Sequence, residues 1–143
     1  MTPRSITIEY EGTLPRALGK NRGDTTHWDR LRETRSLRET AYWLLYEQLQ
    51  ECAWNDGEGV LPYGRGQGFL LATIRVTQYW CGKPMDVSGL ASASAPLVDA
   101  LMDVGVIEDD GPETVVETKY GHVQVPHRVE AKIVVTCTEV VTK

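Results

Sequence analysis

The chain has 143 residues, long enough for one domain with its own hydrophobic core and too short for a second independent one. Hydrophobic residues make up 41% and charged residues 24%, near globular averages, and no repeat or biased tract points to disorder or a solenoid. The net charge of −5 argues against indiscriminate binding to a polyanion. It is unevenly spread, however: residues 1–40 carry eight Lys or Arg against six Asp or Glu, whereas residues 41–143 carry seven against fourteen. That split leaves room for a basic amino-terminal surface.

No apolar run reaches bilayer-spanning length, and MTPRSITIEYEG turns acidic after a few apolar residues instead of forming a signal-peptide core. Cys52, Cys81 and Cys137 are odd in number, widely spaced and lack a C-x-x-C pair, which argues against a disulfide framework or a zinc knuckle. The expectation is a protein of the reducing cytoplasm with no membrane segment.

Taken in chain order, Ser5 to Tyr10 alternates Ile6, Ile8 and Tyr10 with Thr7 and Glu9 and reads as a first strand, ended by Gly12 and Pro15. Leu14 to His27 mixes Pro, Gly, Asn and Asp with Arg16, Lys20 and Arg22, the composition of an exposed, binding-competent loop. From about Asp29 to Cys52, Leu37, Ala41, Leu44, Leu45, Leu49 and Cys52 recur at helical spacing and predict a long helix with one buried stripe. Arg35, Arg38 and Tyr42 lie on a neighbouring face, where they could meet a phosphate backbone or simply be solvated; Trp43 and Tyr46 suit the core edge or a partner.

Residues 55–67 contain too many glycines for a regular element. The GRGQG within them lacks the lysine and the following Ser or Thr of a phosphate loop, so no nucleotide cofactor is expected. Phe69 to Trp80 predicts a long strand, with Thr114 to Tyr120 and Arg128 to Val141 as its partners and GHVQVPH as the connection between those two. Ala131, Ile133, Val135 and Cys137 alternate with more polar residues, as in a sheet with one buried face. A second helix is expected to begin near Ser92 or Ser94, with Pro96 in its first turn, and to close at Gly105; Leu97, Leu101 and Val104 form its stripe, and Asp99 and Asp103 its opposite side. The order strand, helix, strand, helix, strand, strand predicts a single α+β domain over residues 1–143, with two helices packed on a mixed sheet.

Asp86 precedes this second helix, and Glu108, Asp109 and Asp110 follow it. If the chain ahead of the helix folds back along it, Asp86 and Asp110 could share a Mg²⁺ ion, which binds hard oxygens, takes one or two carboxylates and fills its remaining positions with water or phosphate. Such an ion could orient a water towards a phosphodiester. The alternative is that Asp86 caps a turn and the acidic triple keeps a surface segment soluble.

The segment from Asp86 to Asp110 resembles the RusA family of Holliday-junction resolvases, in which a D-x-D-N-x-x-K element is followed by D-A-L-x-x-x-G and an acidic D-D pair. Here DVSGL stands at the first element, DALMDVGVIEDD matches the remainder, and LPRALGKNR fits the Asn- and Arg-bearing loop after the first strand. The resemblance implies an α+β homodimer that binds four-way DNA junctions and cuts them as a Mg²⁺-dependent endonuclease, with Mn²⁺ as a substitute. It implies Asp86 and Asp110 as metal ligands and Asp86, Asp109 and Asp110 as catalytic acids; Arg16, Lys20, Arg22, Arg35 and Arg38 are the candidate phosphate contacts. Three positions depart from the family. Ser88 stands for the second motif aspartate, Gly89 for the asparagine, and ASASAP offers no lysine and is about three residues longer, close to one helical turn. Loss of one positioned electrostatic stabiliser typically costs on the order of 10²- to 10³-fold in rate, so an inactive descendant that binds DNA or a protein is the competing expectation.

Overall fold

The computed structural model describes residues 4–12, 27–51 and 68–141. Its elements are β1 (Ser5–Glu11), α1 (His27–Glu51), β2 (Ala72–Trp80), α2 (Val87–Asp103), β3 (Val115–Gln124) and β4 (Lys132–Glu139), with one 3₁₀ turn at Arg128–Glu130. The sheet order is β1-β4-β2-β3. β4 runs antiparallel to both β1 and β2, and β3 runs parallel to β2 across the α2 crossover. This is the mixed four-stranded α+β sheet with two packed helices that the element order predicts.

The strands alternate as their sequences require. Ile6, Ile8, Ala72, Ile74, Val76, Ile133, Val135 and Cys137 are buried against the stripes Leu37, Ala41, Leu45 and Leu49 of α1 and Leu90, Ala93, Leu97, Ala100 and Leu101 of α2. Fully burying one such leucine or isoleucine contributes about 1.5–3 kcal/mol, so these interlocking rows dominate the favourable side of folding. Both helices thus cover one face of the sheet. The opposite face carries short hydroxyl side chains, with Ser5 Oγ 3.3 Å from Thr138 Oγ1 and Thr7 Oγ1 3.3 Å from Thr136 Oγ1, and the cations Arg75 and Lys119.

The two sheet edges differ. At the outer edge of β1, the Thr7 N–H donates to Gln48 Oε1 at 3.1 Å, and Gln48 Nε2 donates back to the Thr7 carbonyl. The amide from α1 therefore occupies hydrogen-bonding positions that would otherwise invite another strand. β3, on the other edge, is exposed along most of its length.

Several boundaries differ from the sequence expectation. α2 starts at Val87, two turns earlier than expected, because Asp86 is the cap and not Ser92 or Ser94. Ser94 Oγ instead donates to the Leu90 carbonyl at 2.7 Å, one turn back inside the helix, and Pro96 lies in the interior of α2 instead of its first turn. Serine and glycine are weak helix formers, but burial of Leu90 and Ala93 outweighs that propensity. β3 continues through Gly121–Gln124, which reads as a connection in sequence; pairing with the whole length of β2 keeps it extended. Phe69 falls outside β2 and bridges Ile107 instead.

The carboxyl end of α2 closes as expected at Gly105, whose φ of 81° is the left-handed conformation. The Gly105 N–H donates to the Met102 carbonyl and the Val106 N–H to the Leu101 carbonyl, the paired bonds of a Schellman closure. Gly68 packs directly on this turn: a Cβ there would lie 2.2 Å from the Gly105 carbonyl oxygen. The predicted end of α1 at Cys52, the basic loop and the glycine-rich segment at 55–67 lie outside the described residues.

Candidate functional site

Asp86 is positioned from the sheet. The Gln78 side chain, only 2% exposed at the end of the core-facing row of β2, donates from Nε2 to the Met85 carbonyl at 2.9 Å and accepts from the Met85 N–H at 3.2 Å. This amide fixes the last residue before α2. Asp86 then adopts an extended backbone, and its Oδ1 accepts the Gly89 N–H at 2.6 Å, while the Leu90 N–H donates to the Asp86 carbonyl at 2.9 Å. A carboxylate at a helix amino terminus satisfies an otherwise orphaned donor and meets the positive end of the helix dipole. Gly89 suits this close approach, since a Cβ there would stand 3.0 Å from Asp86 Oδ1. One oxygen of Asp86 is therefore committed to capping.

The acidic pair after α2 is built differently. Asp109 Oδ1 accepts the Asp110 N–H at 2.8 Å, a local turn closed by its own side chain. Asp110 lies within electrostatic reach of Asp99. The Asp99 carboxyl is held above the usual range first by burial, and the negative charges of Asp110 and Asp103 add to that, while Arg38 opposes it.

Arg38 organises this group. Its Nε and Nη2 each donate to a carboxylate oxygen of Asp103 at 2.6 Å, and its Nη1 lies 3.8 Å from Asp99. The bond to Asp103 raises the guanidinium's own pKa. This fork joins α1 to α2 and places a fixed positive charge between two carboxylates. Asp99 and Asp103 are four apart and so share one helix face, the pattern visible in sequence. Their arginine partner, 65 residues away from Asp103, is not.

Asp86 caps the first turn of α2, and Asp99 lies thirteen residues, about 20 Å, further along the helix axis, where the charge of Asp110 acts on it. The chain ahead of the helix does not fold back, since Asp86 belongs to the helix itself. Arg38 draws Asp99 and Asp103 together, and among the described residues no three His, Cys, Asp or Glu form a group able to hold a metal ion.

Of the candidate phosphate contacts, Arg35 is exposed on α1, Arg38 is committed to Asp103 and Asp99, and Arg16, Lys20 and Arg22 lie outside the described residues. Among the described residues no helix is long and apolar enough to cross a membrane. No protein-family model matches the chain, and no curated protein matches it.

Proposed function

We propose that the chain is a RusA-like domain that binds branched DNA as a homodimer and has little capacity to cut it. The observation that carries this reading is the Arg38 fork. An internal guanidinium already offsets part of the charge of Asp99 and Asp103, and one oxygen of Asp86 is committed to capping α2. With Ser88 in place of a motif carboxylate and no motif lysine, the charge pattern needed to gather a cation and stabilise a leaving oxygen is depleted on both counts. Support for DNA binding comes from the basic amino-terminal segment, the element order and the DALMDVGVIEDD string.

A second reading, a module for protein partners, is favoured by one observation: α1 exposes Trp28 and Trp43, at 71% and 53%. Gel shifts with a four-way junction, duplex and single strand at two salt concentrations separate the two, run beside a cleavage assay in Mg²⁺ and Mn²⁺. The DNA reading expects a junction-selective shift that weakens with salt and survives chelation, with product formation indifferent to Asp110→Asn. Rapid cutting abolished by Asp110→Asn would overturn the loss of catalysis. Absence of any shift at low salt would leave only the protein module.

A further inference from the structure

We propose that the outer face of α1 is the surface through which two copies of this chain pair, in an antiparallel arrangement with a two-fold axis at the level of Leu37. The inference rests on the homodimer reading above and assigns it a surface. Flanking the buried stripe of α1, Trp28, Arg32, Arg35, Glu39, Tyr42 and Tyr46 follow one another at spacings of four, three, four, three and four, with Tyr42 also packed on the edge of the core. That is the spacing of a helix-pairing seam. From Trp28 to Tyr46 it runs about 27 Å along the helix.

The side chains on this seam are unusual for a solvated face. Trp28 is 71% exposed, and Arg35 and Glu39 are exposed without an ion-pair partner among the described residues. Tyr42 and Tyr46 stack at 6.3 Å between ring centroids, and Trp43, also exposed, packs edge-on against both at 5.2 and 5.4 Å. Trp, Tyr and Arg are the residues that dominate binding energy at protein interfaces.

The order along the seam identifies the occupant. Laid antiparallel on itself about residue 37, the seam sets Arg35 against Glu39 of the second copy, Arg32 against Tyr42 and Trp28 against Tyr46, each twice. Every cation thus meets an anion or an aromatic face, and every anion a cation. A nucleic-acid strand suits the aromatics but not the acids, because Glu39 lies on the seam and Glu47 beside it. Pairing would also place Arg35 in a protein contact and leave phosphate contacts to other cations.

The test uses the full chain and sedimentation velocity over a concentration series, with circular dichroism confirming folding. Arg35→Glu creates two Glu–Glu oppositions and Glu39→Arg two Arg–Arg oppositions. Each variant alone is expected to dissociate roughly 100-fold more readily than wild type, the scale of like charges forced together at an interface. An equimolar mixture of the two variants restores both opposite-charge pairs and is expected to re-form a dimer, now a heterodimer. Wild type that stays monomeric, single variants that dimerise normally, or a mixture that fails to pair would each overturn the proposal. Junction gel shifts on the same samples keep the two claims apart: a restored heterodimer that binds no junction sustains the interface and refutes the DNA reading.

Discussion

Replacing Arg38 by methionine tests whether the arginine is the internal cation of the acidic group. The substitution keeps most of the apolar stem and removes the fork. Two bonds of 2.6 Å to Asp103 and a third contact at 3.8 Å to Asp99 put the pair at the favourable end for its class. The Arg38 side chain is nevertheless 43% exposed, so solvent screens the attraction and holding the long side chain costs entropy. The net contribution is about 1 kcal/mol, which for a chain of this size lowers Tm by roughly 3–4 °C. The pH dependence carries the sharper information. Asp99 is already harder to ionise in the folded state than a free aspartate, so its ionised form opposes folding, fully above its folded pKa and not at all well below the pKa of the unfolded chain. Without Arg38 that opposition grows. The difference between wild type and variant is therefore expected to be largest at neutral pH, to shrink as pH falls through the carboxylate range, and to be smaller in high salt. Thermal unfolding across pH measures it. A deficit that is the same at neutral and acid pH would show that the arginine acts through packing of its stem and would refute the electrostatic account.

Other expectations are more local. Gly68→Ala drives a Cβ to 2.2 Å from the Gly105 carbonyl oxygen and 2.6 Å from that of Val106, contacts that only a backbone shift can relieve; a loss of about 2–4 kcal/mol in denaturant unfolding is expected, and a neutral result would contradict the packing. Gln78→Met removes both bonds to Met85 and is expected to cost about 1–3 kcal/mol and to speed amide exchange at Gly89 and Leu90, since the cap is held through Met85; unchanged exchange there would sever Gln78 from Asp86. Cys137 is fully buried with its thiol pushed up to about 12 by burial, so a thiol reagent at neutral pH is expected to leave it unmodified in the native protein and to label it on unfolding.

How much of this was legible from sequence follows from the range of each interaction. Ile6 and Ile8, the α1 stripe, and Ala131, Ile133, Val135 and Cys137 alternate or recur locally, so their periodicity reports burial directly, and all of them are buried apart from the half-buried Leu44 and Cys52, which lies outside the described residues. Gly105 signals its left-handed turn through its identity alone. The first two turns of α2 were hidden because DVSGLASASA is rich in serine and glycine, and only tertiary burial of Leu90 and Ala93 makes it helical. β3 ran past its expected end because pairing to β2, not local propensity, sets its length. The site was the least legible part. Asp86, Asp109 and Asp110 read in sequence as ligands or as punctuation around a helix, and their surroundings depend on an arginine from another helix and a glutamine buried in β2. Neither partnership leaves a trace in sequence spacing.

The central claim, selective binding of branched DNA uncoupled from efficient cutting, is tested most directly by competition. A labelled four-way junction is challenged with an excess of unlabelled junction or of duplex of the same sequence and length, in chelator and then in Mn²⁺. The account predicts that only unlabelled junction displaces the label, in both conditions, with the junction strands recovered intact. Equal displacement by duplex, or strands recovered cleaved as soon as Mn²⁺ is present, would contradict it.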